Sequence, residues 1–170
     1  MPIPRLTPPA MLKHTVETPA IDPSVTSIDL LRAKADGLFR TAQECIRQQD
    51  RCAHLGALSC GQTEKRLAQS AARHSIEALA TMLETYEKSS SSLKVDGADE
   101  AWWRKANAIW MAAREFARRH SGTDAAAKNI EGADPGRFGE LALDFELEAS
   151  ALLALRQAAE SYRHVRPDAV

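Results

Sequence analysis

Cys45, Cys52, His54 and Cys60 fall within sixteen residues. Thiolates and imidazole are ligands for zinc or copper, so a metal- or redox-binding bundle is one chemistry this chain could carry. The spacing argues against it. Cys45 and Cys52 are seven residues apart in a stretch of helical periodicity, which sets their sulfurs about 10 Å apart along an axis rising ~1.5 Å per residue. A tetrahedral ion holds its ligands at about 2.3 Å, so the two share one only if the helix breaks between them. Both also fall on an apolar seam, where cysteine behaves as a small hydrophobe. Packing is the favoured reading, and the expectation is no cofactor and no metal.

Carboxylates offer a second chemistry. Di-iron bundles use Glu-x-x-His on each of two helices, and that motif is absent; the nearest pair, His74 and Glu77, has the reverse order. Of Glu140, Asp144, Glu146 and Glu148, only Glu148 falls among the apolar residues of its segment, between Phe145 and Leu152. A carboxylate there is costly unless it is paired or protonated. Arg114, His120 or an indole N–H from the preceding helix are its candidate partners. A register-fixing buried polar group is the plain reading, and an acid or base the chemical one.

Arg114 and His120, with five residues between them, resemble the Arg-x4–6-His pattern of HEPN-type ribonucleases, which are small helical bundles. The resemblance covers seven of 170 residues. It implies a metal-independent ribonuclease in which Arg114 and His120 from two protomers act on an RNA phosphate. The same residues, with Arg118 and Arg119, also suit a solvated helix end whose cations complement the dipole. Trp102, Trp103 and Trp110 share this helix. They could stack a planar ligand, but three indoles on one helix are better placed as core anchors or interface residues.

The elements that position these groups are all helical. The first helix starts near Thr26, where Thr26 and Asp29 have capping-box spacing, and carries Ile28, Leu31, Ala35, Leu38, Ala42, Cys45, Gln49 and Cys52 at steps of three and four. The second runs from about Ser59–Thr63 to Lys88 on Ala68, Ala72, Ile76, Leu79, Leu83 and Tyr86. The third opens after Asp96 or Asp99 and is expected to stop at Ser121-Gly122. The fourth is capped by Asp134 before Pro135 and carries Phe138, Leu141, Phe145, Glu148, Leu152, Leu155, Ala159 and Tyr162. No window alternates as a strand does.

Six of the eight prolines lie in residues 1–23, which excludes a continuous helix there. The predicted organisation is an extended tail over 1–23, a four-helix bundle over 24–166 and a short tail over 167–170. The fold class is all-α, an antiparallel up-down-up-down bundle. A net charge of −1 gives no global pull toward nucleic acid or anionic membrane. No stretch approaches the ~20 apolar residues of a membrane span. Without a secretory leader, and with an odd number of cysteines, the expected location is cytoplasmic. These features favour a non-catalytic bundle that acts through protein–protein contacts, as a homo-oligomer or an accessory subunit of a larger assembly.

Overall fold

Steps of three and four between apolar residues dictate the first helix, and the computed structural model places it at Ser27–Ala57 (α1). Residues 27–91, 100–130 and 135–165 are described. The tails over 1–23 and 167–170 and the caps Thr26, Asp96, Asp99 and Asp134 lie outside them. On α1 the buried residues Leu31, Ala35, Leu38, Ala42 and Cys45 keep the predicted spacing, with Phe39 beside them. Gly61, in extended backbone, then reverses the chain into α2, Gln62–Ser90. Two further helices follow, α3 over Glu100–Lys128 and α4 over Pro135–Arg163. The described residues contain no strand, and no helix among them is long and apolar enough to cross a membrane.

The helices form two close pairs, α1 with α2 and α3 with α4, joined by weaker cross contacts, an arrangement consistent with a four-helix bundle. Side-chain bonds tie early residues to late ones in each pair. Lys34 Nζ donates to Ser89 Oγ at 2.6 Å and Gln49 Nε2 to the Ala72 carbonyl at 3.4 Å. Between α3 and α4, Lys105 Nζ donates to Ser161 Oγ at 2.6 Å. Among the described residues α1 and α3 touch across the diagonal, whereas α2 and α4 do not. Buried alanines on both helices, Ala35 and Ala42 on one and Ala106 and Ala113 on the other, permit that approach. Leu31, Leu38, Leu79, Ile109, Phe116 and Leu155 are fully enclosed, and each is worth roughly 1.5–3 kcal/mol relative to exposure.

Two sequence expectations are corrected. The third helix does not stop at Ser121-Gly122 but runs on to Lys128. Thr123 is buried there, and its hydroxyl bonds the Arg119 carbonyl at 3.0 Å and reaches the Asp144 carbonyl of α4 at 3.4 Å. That packing outweighs the ~1 kcal/mol that a mid-helix glycine costs. Arg118 and Arg119 are therefore not end-of-helix cations. Both bond Glu115, and their guanidinium groups hold its carboxyl down at about 2.

The second correction concerns the fourth stripe. Phe138 and Phe145 stand 56% and 53% exposed, and α4 buries nothing before Ala151. At 100° per residue they point about 100° around the helix from the line of Leu155 and Tyr162, so one stripe in sequence is two in space.

Candidate functional site

The most closely knit polar group in the core is centred on Tyr162. Its ring is fully buried and lies 5.3 Å from that of Phe39, centroid to centroid. Its hydroxyl accepts a hydrogen bond from Trp102 Nε1 at 3.1 Å and donates one to Asp36 Oδ1 at 2.8 Å. Three helices thus meet at one oxygen. Burial, reinforced by the Asp36 carboxylate, pushes the Tyr162 phenol well above its ordinary value. Tyr86, also fully buried, donates to Asn107 Oδ1 at 3.1 Å, and burial pushes its phenol up to about 12. Both phenols are locked in the neutral form and lack an open face, so their chemistry is to fix the register of the helices. The sequence placed Tyr162 on a stripe but gave no sign of Asp36, which reads as an ordinary outward charge.

Of the partners open to Glu148, the structure brings up His120. Its Nδ1 lies 2.7 Å from Glu148 Oε1, and the side chains retain 28% and 16% of their exposure. Arg114 turns elsewhere: its guanidinium sits 5.3 Å over the Trp110 ring and 3.9 Å from Glu87 of α2. Six residues along a helix put Arg114 and His120 about 9 Å apart along the axis and about 120° apart around it. Within one chain the two do not converge on a common point.

The cysteine and histidine group does not assemble. Cys45 is buried, and burial raises its thiol. Cys60 Sγ bonds the Leu55 carbonyl at 3.2 Å, and His54 is exposed. Among the described residues no three His, Cys, Asp or Glu side chains are gathered as a metal site.

The three tryptophans divide. Trp102 is buried and bonded, while the Nε1 atoms of Trp103 and Trp110 are enclosed without a hydrogen-bond partner.

Two open clefts lie between α1 and α4. A cleft of about 370 Å³ opens over Phe116, walled by Ala53 of α1 and by Phe145, Ala149, Leu152 and Leu153 of α4. A second, of about 450 Å³, continues along the same two helices past Ile46, Arg47 and Arg163. The ion pair between Arg156 and Asp50 stands between them, and both of its residues line both clefts. Phe145, Ala149 and Leu152 on its wall belong to a longer row on α4, of which Leu152 packs against the core and the two phenylalanines are exposed. Phe138, Ala142, Phe145, Ala149 and Leu152 follow one another at steps of four, three, four and three, the spacing of a coiled-coil face. The same spacing is present in the sequence, interleaved with the core stripe.

Comparison with family models, with curated proteins and with solved structures finds no match to this chain.

Proposed function

We propose that this chain is a non-catalytic, up-down-up-down helical bundle, preceded by a proline-rich leader, that works through protein–protein contacts, with itself or as an accessory subunit of a larger assembly. The observation that carries this reading is the first half of α4. Its two phenylalanines stand more than half exposed, in register on one side of the helix. Scattered exposed leucines are ordinary on a soluble surface, but aromatic residues in register on one helix mark a face meant to be covered. The polar groups of the interior fit the same reading, because each phenol is bonded inside the core rather than offered to a ligand.

The test is retention on the immobilised full chain. Wild type should hold a protein, itself or another, that the double variant Phe138→Asp, Phe145→Asp releases. Retention that ignores this face would overturn the reading. Cleavage of RNA that disappears in His120→Ala would replace it with the ribonuclease reading.

A further inference from the structure

We infer that the cleft over Phe116 is a binding site for a small organic ammonium ion, with an apolar body of one ring or a short chain and a single cationic head received by Glu148. The inference goes beyond the protein-contact reading, because it turns on Glu148 and the cleft floor rather than on Phe138.

Three observations carry it. The first is where the core stops closing. From Ala151 onward α4 buries a residue at each turn, Ala151, Leu155, Ala159 and Tyr162, whereas none of its residues before Ala151 is fully buried. Beside the cleft, polar pairs join the helices instead. Gln49 of α1 bonds the Ala72 carbonyl of α2 at 3.4 Å, and His120 of α3 meets Glu148 of α4 at 2.7 Å. Gln49 and Glu148 both line the cleft. Side chains brought together from facing helices are how bundles build ligand sites.

The second is size and lining. The cleft holds about 370 Å³, near the lower end of the roughly 300–1,000 Å³ of small-molecule sites. Its apolar lining is Phe116, Phe145, Leu152 and Leu153, and of these Phe116 is buried in the core while Phe145 and Leu153 are more than half exposed. A ring or short chain laid there covers apolar surface of its own and of the walls, which is favourable by about 25 cal/mol per Å².

The third is charge, and it names the head group. The lining carries two carboxylates, Asp50 and Glu148, and one arginine, Arg156. Asp50 holds Arg156, so Glu148 is left without a cation inside the cleft. His120 is not part of the lining, and it meets only one oxygen of Glu148, Oε1. The other, Oε2, has no hydrogen-bond partner among the described residues and is not sealed from solvent. Gln49 turns its Nε2 to Ala72 and keeps Oε1 as an acceptor. A net negative lining with two acceptors matches an ammonium group, which brings donors and a positive charge, whereas a carboxylate or phosphate would meet repulsion.

Amide NMR spectra of the full chain test this, with phenethylammonium as the probe and phenethyl alcohol and hydrocinnamate as its neutral and anionic counterparts. The first variant is Glu148→Gln, which removes the charge and keeps an acceptor. The second is Ala149→Trp, which fills the cleft from an exposed position on its wall and leaves both members of the His120 pair in place. Leu143→Ala, exposed and outside the cleft, is the control. Equal far-UV circular dichroism confirms that each variant is folded. We expect saturable shifts centred on Gln49, Phe116, Phe145 and Glu148, with a Kd of about 1 mM or below for the ammonium and at least about tenfold weaker binding of the alcohol and the carboxylate. Glu148→Gln should weaken the ammonium about tenfold and leave the alcohol unchanged, so that the preference disappears. A merely structural role for Glu148 would weaken both alike and overturn the assignment of the head group. Ala149→Trp should abolish binding of both, and Leu143→Ala of neither. The absence of any saturable shift up to about 10 mM overturns the inference. So does a carboxylate that binds as tightly as the ammonium, or shifts that persist in Ala149→Trp. Retention of a protein through Phe138 and Phe145 is read separately, and neither outcome decides the other.

Discussion

Replacing Tyr162 with phenylalanine removes one oxygen and leaves the ring packed against Phe39. The loss is confined to two hydrogen bonds, the 3.1 Å bond from Trp102 Nε1 and the 2.8 Å bond to Asp36. The indole N–H is inside the core and is stranded without an acceptor, which costs about 1 kcal/mol or more. The bond to a carboxylate is stronger than a neutral one, about 1.5–3 kcal/mol, but the Asp36 side chain keeps some access to water and recovers part of it. The sum for Tyr162→Phe is about 2–3 kcal/mol. Tyr86→Phe removes a single neutral bond to Asn107 and should cost about 0.5–1.5 kcal/mol. Urea titration followed by circular dichroism reads both, provided that the slope is unchanged. A cycle with Asp36→Ala then isolates the pair, with a coupling of about 1 kcal/mol expected. If Tyr162→Phe stays within about 0.5 kcal/mol of wild type, the hydroxyl does not join three helices, and the reasoning from that oxygen fails.

Three further outcomes are expected. The chain has two tyrosines, both buried, so no tyrosinate absorbance should develop near pH 10 while the helices persist. Because burial raises both phenols, the stability they carry is complete below pH ~10 and drains as pH climbs toward the folded values. An ionisation step near pH 10 with intact helicity would contradict the burial of at least one. Glu148→Ala should cost about 1–2 kcal/mol in thermal melts, since the pair with His120 is half sheltered, and Glu148→Gln, which keeps an acceptor, about half as much. Equal losses would mean that the bond is not what holds Glu148. Gly122→Ala, with nothing within 4 Å of the added carbon, should raise stability by about 0.5–1 kcal/mol. Gly37→Ala should gain less, because Met82 Cε would lie 2.7 Å away and must move. The reverse order would count against the close approach of Met82 to α1.

Helix count, helix type and most of the core were legible from spacing. Leu31, Leu38, Leu79 and Leu155 are buried where the periodicity puts them. The end of α3 was not legible. Ser-Gly is a stop signal by local preference, and what overrides it is the fit of Thr123 against α4, a contact between residues far apart in sequence. The Tyr162 group was half legible. Tyr162 lies on an apolar stripe and Trp102 reads as a core anchor, but Asp36 looks like any solvent-facing acid until α1 and α4 are set side by side.

On α4 both stripes are present in the letters. Leu141, Glu148, Leu155 and Tyr162 form one line, and Phe138, Phe145 and Leu152 another beside it. A seven-residue repeat reads either line equally well. Only the depth of the core separates them, since the bundle closes on Ala151, Leu155, Ala159 and Tyr162 and fully buries no residue in the first half of the helix. The separation also leaves the two phenylalanines outside the core packing of α4. Phe138 and Phe145 are more than half exposed, so polar residues at those positions would cost the isolated chain little. Stability therefore does not account for two aromatic rings on that face. Contact with something outside the chain, as proposed above, would account for them.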